Sequence, residues 1–340
     1  MQLPLSLTLL LLAVPALSSS GDRAPAFQSC LQHCTSTTCS PHNPARTALP
    51  LALRLTLWSC GDNCAYECMH ALESLPQGSE KAKPQQYYGK WAFYRLLGAQ
   101  EPLSVLASLA NGQQHLRGLS FIRRQLAGFH GPVSLGLKSS LEWYTYVGMN
   151  AWLWSSVFHT RDTPWTERLD YFSAALALLY SLYYTLQRLF HLYLPSNTRW
   201  RHALAGTLAL VFSAHVSYLT WLPRYIPSLP RFDYAYNMLF AVSVGLLHNA
   251  LWLLARYTPL LPPPRPRPSY KPLAFVCLTM AAMSLELLDF PPLLGVLDAH
   301  ALWHIATVPL VMFWYGWLVE DVRDLEEAAR AGSGGGRVKL

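Results

Sequence analysis

The sequence predicts an all-α membrane protein: a bundle of seven transmembrane helices that follows a cleaved signal peptide and a disulfide-rich luminal N-terminal segment. Three observations predict this class. Only 13% of the 340 residues are charged, against roughly 25% in an average soluble domain, and 52% are apolar. Long apolar runs fill the chain after about residue 100, and six cysteines cluster before them. This pattern excludes a disordered chain, a coiled coil and a nucleic-acid-binding protein that relies on charge.

Residues 1–20 have the features of a signal peptide. An apolar stretch from Leu3 to Leu17 is too short to span a bilayer comfortably, and small residues follow it at Ser18, Ser19 and Ser20. The sequence therefore predicts cleavage near residues 18–20. No Lys or Arg precedes the apolar stretch, which leaves an uncleaved membrane anchor as the alternative.

Residues 21–98 are predicted to form a luminal Cys-rich segment. An even number of clustered cysteines behind a signal peptide is typical of disulfides. Six cysteines allow 15 pairings, and the sequence does not choose among them. A zinc knuckle is the alternative, but the spacing lacks the usual C-x2-C pairs. The candidates are Cys30, Cys34, Cys39, Cys60, Cys64 and Cys68. Cys277, inside a later apolar run, is expected to be an ordinary core residue.

Residues 99–320 are predicted to form the seven-helix bundle. A helix that crosses the bilayer needs about 20 predominantly apolar residues. Six runs come close to that length: Leu141–Phe158, Leu169–Leu186, Leu204–Leu222, Tyr234–Leu254, Leu273–Leu288 and Ala301–Val319. A seventh begins at Pro102 and is interrupted by the polar stretch NGQQHLRG. Residues 321–340 would then be a cytosolic tail, and the proline-rich stretch Pro259–Pro272 an extended cytosolic connector.

The distribution of basic residues supports seven spans despite the weak first one. With a luminal N-terminal segment, seven spans place the C-terminus in the cytosol. Fifteen Lys and Arg residues after Pro102 then fall in cytosolic loops and the tail, and four fall in short luminal loops. This is the excess that the positive-inside rule expects. Loss of the first span would invert every later loop.

Two histidines at the start of the last apolar run have the spacing of metal ligands. His300 and His304 lie four positions apart, which places both imidazoles on one face of a helix, one turn apart. Two histidines in this arrangement can bind one zinc ion. In the H-E-x-x-H motif of zinc proteases the second residue is a glutamate base. Ala301 stands there, so the base must come from elsewhere.

A second polar group lies where the second predicted span ends and the third begins. Ser155 and His159 are also four residues apart, and Asp170 follows after a short loop. The topology places these residues and the two other histidines at the luminal side. Three histidines with an open fourth position for water are typical of catalytic zinc, which lowers the pKa of that water to about 7. Asp170 would accept the proton of the water, and Ser155 would stabilise the oxyanion.

Ordinary structural explanations remain open for each of these residues. A single histidine at a helix end is often a core or interfacial residue, and a serine in a membrane helix often bonds its own backbone. Ser156 competes with Ser155 for the proposed role. Glu286 and Asp289 either hold a histidine N–H or simply face a loop. The tryptophans near this end are expected to be membrane-interface anchors.

Several stretches resemble the post-GPI-attachment-to-proteins factor 3 family, the GPI-specific phospholipase A2-like members of the CREST hydrolase superfamily. They are NAWLWSSVFHTRDT, TERLDYF, AHVSYL, RFDYAYN, SLELLDFPPL, VLDAHALWHI and GKWAFYRLLGAQEP. The resemblance implies a seven-helix bundle with a luminal zinc site. It also implies metal ligands at His159, His300 and His304, and catalytic roles for Ser155 and Asp170. The interrupted first span departs from the family pattern.

The resemblance further implies a function in GPI-anchor lipid remodelling. The family removes the sn-2 acyl chain from the inositol phospholipid of GPI-anchored proteins, which leaves a lyso form. We therefore expect a Zn²⁺-dependent ester hydrolase in the Golgi membrane, or alternatively the ER membrane, with GPI-anchored proteins as partners and no nucleic acid. A seven-span receptor or scaffold without turnover and a ceramidase-like amidase are the alternatives.

Overall fold

The N-terminal part of the chain folds into short helices and one β-hairpin. The computed structural model describes residues 19–39, 49–74, 84–226, 231–257, 269–286 and 288–334. The predicted signal peptide therefore lies almost wholly outside the described residues, as does most of the proline-rich connector. The N-terminal elements are α1 (Ser20–Arg23), α2 (Pro25–Thr38), α3 (Leu51–Leu55), α4 (Cys60–Ser74), β1 (Gln86–Tyr87) and β2 (Lys90–Trp91). The antiparallel hairpin is an addition to the predicted all-α class.

Three disulfides join α2 to α4, which confirms the expectation of disulfides over a zinc knuckle. The pairs are Cys30–Cys68, Cys34–Cys64 and Cys39–Cys60, with Cα–Cα distances of 5.9, 5.7 and 5.8 Å. The pairs are nested, so the two helices run antiparallel. Phe27 and Tyr87 pack beside the first disulfide and form a small core of their own.

Seven long helices follow the N-terminal segment within the described residues. They are α5 (Pro102–Gln125), α6 (Pro132–Thr160), α7 (Pro164–Leu189), α8 (Thr198–Thr220), α10 (Tyr234–Tyr257), α11 (Lys271–Leu285) and α12 (Ala299–Gly334), with the single turn α9 (Leu222–Tyr225) after α8. The most extensive contacts join α5 to α6, α6 to α7 and α12 to α5. The helices that carry the predicted site residues therefore pack directly on one another.

Among the described residues, three segments are long and apolar enough to cross a membrane, judged by length and composition: Pro195–Thr220, Tyr234–Arg256 and Ala299–Ala331. The helix Lys271–Leu285 is also apolar but shorter. The chain is thus a mostly helical protein with membrane-spanning candidates, and the full count of seven spans stays a prediction.

The polar interruption in α5 does not break the helix. Ser104, Ser108, Asn111 and His115 recur at helical spacing and are all buried. The His115 Nδ1 atom lies 2.7 Å from the Tyr315 hydroxyl, and Asn111 Nδ2 donates to the carbonyl of residue 304 over 2.8 Å. Asn111 and His115 therefore face α12, which gives them hydrogen-bond partners inside the bundle.

A buried ion pair and a large apolar cluster fill the end of the bundle far from His159. The cluster includes Leu137, Trp252 and Trp317, each almost fully buried. Beside it, Arg188 bonds Asp321 through two nitrogens, at 2.5 and 2.9 Å, and both side chains have no exposed surface. The pair links α7 to α12.

The last helix extends well beyond the predicted end of the bundle at residue 320. It continues to Gly334, and Asp321 and Glu326 on it are buried. The segment predicted as a tail is therefore helical as far as Gly334, and its buried acidic side chains have partners on α6 and α7. The expectation that Cys277 is a core residue is wrong, since it is exposed on α11.

A tight turn between α6 and α7 brings the predicted site residues to one end of the bundle. Thr163 caps α7 through a capping box with Thr166, and Pro164 occupies the first helical position. The segment before α5 lies against this turn, because the Glu101 N–H donates to the carbonyl of residue 159 over 3.0 Å. The end of α6 therefore lies between the start of α5 and the start of α7.

Candidate functional site

The three histidines singled out from the sequence meet at this end of the bundle. His159 comes from the last turn of α6, and His300 and His304 from the first turns of α12. The His300 Nε2 atom lies 3.3 Å from His159 Nε2 and 2.9 Å from His304 Nε2. All three ligand nitrogens lie within 4.8 Å of one another. His159 and His304 are 2% exposed, while the His300 side chain is 33% exposed, so the cluster opens on the His300 side.

The opposite ring nitrogen of each histidine has its own hydrogen-bond partner. His159 Nδ1 lies 2.7 Å from a carboxylate oxygen of Glu101, and His300 Nδ1 lies 2.7 and 2.9 Å from the two oxygens of Glu286. His304 Nδ1 lies 3.0 Å from the Ser108 hydroxyl. Carboxylate partners of this kind fix the orientation and tautomer of histidines that bind metals.

These partners determine what the cluster can bind. A carboxylate only accepts hydrogen bonds, so the Nδ1 atoms of His159 and His300 carry the hydrogen and donate. In the neutral rings the Nε2 atoms then present lone pairs to one another. Facing lone pairs repel one another unless a proton or a metal ion lies between them. Imidazole nitrogen suits zinc, and bonds of about 2.0–2.1 Å to one zinc ion separate tetrahedral ligands by about 3.3 Å. The three residues therefore fit a single metal ion.

A chain of hydroxyl groups connects Ser155 to the histidine cluster. The Ser155 and Ser108 oxygens lie 3.0 Å apart, and Ser108 also contacts His304 Nδ1. If His304 Nδ1 donates to Ser108, the Ser108 hydrogen goes to Ser155, and the Ser155 hydrogen stays free for a ligand. Ser156 instead donates to the backbone carbonyl of residue 152 over 2.8 Å. Ser155 therefore bonds toward the histidine cluster, whereas Ser156 bonds to the backbone of its own helix.

Asp170 lies near the cluster but makes no direct contact with it. In the described part of the chain no side-chain hydrogen bond joins the Asp170 carboxylate to a histidine. The residue is half-buried in the second turn of α7, and it interacts electrostatically with His300, Lys90 and Glu101. Asp170 is therefore the member of the predicted set that is least tightly held.

Two acidic residues that the sequence left undecided have different surroundings. Glu286 holds His300, as described above. Asp289 instead accepts hydrogen bonds from the Trp91 indole over 2.9 Å and from Gln86 over 3.0 Å. Asp289 therefore attaches the hairpin to the loop before α12. Trp152 and Trp303 lie against the His304 ring, with ring centroids 5.2 and 4.8 Å away.

Sequence reasoning missed Glu101, Ser108 and Lys90. Glu101 and Ser108 belong to the start of α5, 58 and 196 positions away from the histidines they contact. Lys90 of the hairpin contacts the Glu101 carboxylate and lies 3.1 Å from Asp162. The regular spacing of polar residues in α5 was a signal for Ser108. No local pattern singled out Lys90.

A second group of potential ligands has a simpler explanation. Cys39, Cys60 and Cys64 lie close enough together to hold a metal. All three are in disulfides, so they offer no thiolate. Among the described residues the three histidines are therefore the metal-site candidate that we consider further.

Comparisons with known proteins agree with the resemblance noted in the sequence. The model of the Per1-like family matches residues 50–322. The chain is 40% identical to the Protein PER1 homolog of Schizosaccharomyces pombe over 302 residues, which is 89% of this chain and 87% of that one. It is 41% identical to the GPI-specific phospholipase A2-like PGAP3 of Cricetulus griseus, over 92% of this chain and 93% of the relative.

A further relative is Post-GPI attachment to proteins factor 3 of Drosophila melanogaster, which is 38% identical over 89% of both chains. No solved structure matches the chain. The family model covers far more than half of the sequence, and the relatives cover nearly all of it. The chain therefore belongs to the Per1-like family.

Proposed function

We propose that the chain is a zinc-dependent hydrolase of the sn-2 acyl ester in the inositol phospholipid of GPI-anchored proteins, and that it releases a fatty acid and lyso-GPI. The convergence of three histidine Nε2 atoms, each ring held from behind, carries the proposal. The names of the relatives, GPI-specific phospholipase A2-like, support the substrate class.

His159, His300 and His304 would hold the metal. Zinc held by three histidines would lower the pKa of a water molecule and polarise an ester carbonyl. The 33% exposure of the His300 side chain supports entry of water and substrate on that side. Glu101, Glu286 and Ser108 keep the three rings in the orientation that binding requires.

The remaining steps fall to Asp170 and Ser155. Asp170 accepts a proton from the water that attacks the acyl carbonyl carbon. The free hydrogen of Ser155 donates to the oxyanion that forms on the carbonyl oxygen. When the carbon–oxygen bond to the glycerol breaks, Asp170 returns the proton to the departing sn-2 oxygen. The fatty acid and the lyso lipid are then complete.

The proposal includes a location and an orientation. Seven spans between residues 99 and 320 would place the histidine cluster at the luminal face of a Golgi membrane, or alternatively an ER membrane. The signal peptide at 1–20 and the Cys-rich segment at 21–98 would precede the bundle, and a cytosolic tail at 321–340 would follow it. The disulfides of the N-terminal segment suit an oxidising lumen.

An acyl-release assay tests the proposal. The full chain, purified in detergent, is supplied with a GPI-anchored protein that carries an unsaturated sn-2 chain. Mass spectrometry follows free fatty acid and lyso-GPI with and without a zinc chelator. We expect release that the chelator abolishes and that added zinc restores.

Other outcomes separate the alternative functions. Release of a fatty acid from ceramide instead of GPI would indicate an amidase. A folded, zinc-loaded chain that releases no fatty acid would contradict hydrolysis and favour a receptor or scaffold. Release that is indifferent to chelation would contradict the role of the metal.

A further inference from the structure

A large cleft lies between the disulfide-linked N-terminal segment and the turn that joins α6 to α7. Its volume is about 1270 Å³. Pockets for small ligands commonly measure about 300–1,000 Å³, so this cleft has room for a larger group. Helices α2 and α4 form one wall, the hairpin forms the floor, and the start of α7 forms the other wall. We name this feature the headgroup cleft.

The lining of the headgroup cleft combines aromatic rings with amides. Tyr88 and Trp91 come from the hairpin, and Gln28 and Gln32 come from α2. Tyr88 is 59% exposed although its ring contacts the buried Phe27. Aromatic rings offer an apolar face with a polar edge, and amides both donate and accept hydrogen bonds. Sugars, which have apolar ring faces and many hydroxyl groups, match this combination.

The charges in the headgroup cleft favour a neutral or cationic ligand over an anionic one. Asp62, Asp162 and Glu167 outnumber Lys90 and Arg161 along its walls. Both cations are already paired, Arg161 with Asp62 at 2.6 Å and Lys90 with Asp162 at 3.1 Å. Burial by itself would raise the pKa of Asp62, but hydrogen bonds from Ser59 and the Arg161 charge hold that pKa below its ordinary value. The carboxylate therefore stays an acceptor for hydroxyl or amine groups.

The headgroup cleft lies close to the histidine cluster. Lys90 lines the cleft and contacts Glu101, whose other oxygen holds His159. Two contacts thus separate the cleft from the proposed metal ligands. A lipid with its ester at the histidines would extend its headgroup into this space. Three disulfides between α2 and α4 fix one wall, which lowers the entropy cost of binding.

We propose that the headgroup cleft binds the glycan of the GPI headgroup and thereby selects GPI lipids over phosphatidylinositol. This inference rests on the proposed hydrolase function, since it names the part of the substrate that the N-terminal segment recognises. The glycan offers hydroxyls and an amino sugar for the carboxylates and amides, and ring faces for Tyr88 and Trp91.

Two measurements on the full chain in detergent test the inference. The first is the affinity for a lipid-free GPI core glycan, measured by titration calorimetry. The second is the ratio of kcat/KM for a GPI lipid to kcat/KM for phosphatidylinositol with the same acyl chains. Tyr88→Ala and Gln32→Ala remove cleft contacts. Tyr225→Ala and Gln85→Ala are matched controls, because both residues are exposed and neither lines the cleft.

We expect each cleft variant to weaken glycan binding about tenfold, the effect of losing one contact of about 1.4 kcal/mol. The kcat/KM ratio should fall by a similar factor, with phosphatidylinositol hydrolysis and both controls unchanged. A wild-type chain that binds no glycan, or cleft variants that bind it as tightly as wild type, would overturn the inference. The binding measurement needs no turnover. A chain that binds glycan but releases no fatty acid therefore refutes the hydrolase and not the cleft.

Discussion

The histidine cluster and the Arg188–Asp321 pair are buried polar groups at opposite ends of the same bundle, and they differ in completeness. At the far end a guanidinium meets a carboxylate through two hydrogen bonds. Close by, the buried Glu326 accepts from the Ser134 N–H and hydroxyl at 3.0 and 3.1 Å. At the histidine end three ring nitrogens face one another, and the Nδ1 donors of His159 and His300 point away toward carboxylates. The polar groups at the far end are paired with each other, whereas the facing histidine nitrogens can accept a metal ion.

This difference in pairing suggests a structural role for the Arg188–Asp321 pair and a binding role for the histidine cluster. A buried ion pair can hold helices in register without a ligand. A set of converging nitrogen acceptors costs free energy unless a proton or a metal ion lies between them, which is the basis of the proposed metal site. The following variants should therefore affect binding and activity at one end and stability at the other.

The largest expected effect is the loss of activity in His304→Ala. Removal of one member of a catalytic unit can cost on the order of 10⁴-fold in kcat or more. Acyl release and zinc content, measured by mass spectrometry on the purified chain, should both fall to background. His215→Ala is the control, because His215 is a buried histidine that stacks on Phe240 at 4.0 Å, outside the cluster. A His304→Ala chain that keeps its zinc and activity would contradict the assignment.

Arg188→Ala should mainly affect stability. It leaves the Asp321 carboxylate buried without its partner, which costs about 3–5 kcal/mol. Thermal unfolding in detergent should show a large fall in Tm, while the chain that remains folded keeps its zinc. The double variant Arg188→Leu with Asp321→Leu should recover most of the loss, because it removes both charges. If the double variant is as unstable as the single one, the pair is not the cause.

Glu286→Gln should lower the zinc affinity of the histidine cluster without abolishing zinc binding. The His300 ring loses the carboxylate that fixes its Nδ1–H, and such changes cost about 10–100-fold in metal affinity. Competition with a fluorescent zinc chelator measures the affinity. Asp289→Asn is the matched control, because Asp289 is a nearby carboxylate that contacts the hairpin instead of a histidine. Equal zinc affinity in both variants would rule out the positioning role of Glu286.

The smallest expected effect is that of Ser134→Ala. Ser134 donates two hydrogen bonds to Glu326, one from its N–H and one from its hydroxyl. The substitution removes the hydroxyl bond, which should lower the free energy of unfolding by about 1 kcal/mol. Chemical unfolding measures the change, and zinc content should not move. Ser120→Ala is the control, since that exposed hydroxyl contacts only the backbone of its own helix in the described part of the chain. A loss of zinc in Ser134→Ala would mean that the two ends are coupled.

Local patterns predicted the long helices and the proximity of the three histidines, whose role as metal ligands stays a prediction. Apolar runs located the long helices, although α6 and α12 extend past the runs at both ends because polar residues there find partners inside the bundle. The four-residue spacing of His300 and His304 places both side chains on one face of α12, as predicted. The order of the helices predicted that His159 lies at the same end of the bundle. Each of these inferences depends on spacing along the chain or on the order of the helices.

The supporting residues could not be predicted in the same way. Glu101 and Ser108 act on histidines that are distant in sequence, and only the packing of α5 on α6 and α12 brings them together. The polar stretch NGQQHLRG interrupts an apparent span, yet its Asn111 and His115 side chains are buried and bond to α12. The hairpin that carries Lys90 was not expected in an all-α chain. Packing between elements, which a local pattern does not encode, decides these contacts.

Metal analysis of the purified full chain tests the central claim most directly. X-ray absorption at the zinc edge, combined with zinc quantification, reports both the content and the ligands. We expect one zinc ion per chain with nitrogen ligands at about 2.0–2.1 Å, and we expect His304→Ala to lose it. A metal-free chain that still converts GPI-anchored proteins to their lyso form at full rate would contradict it.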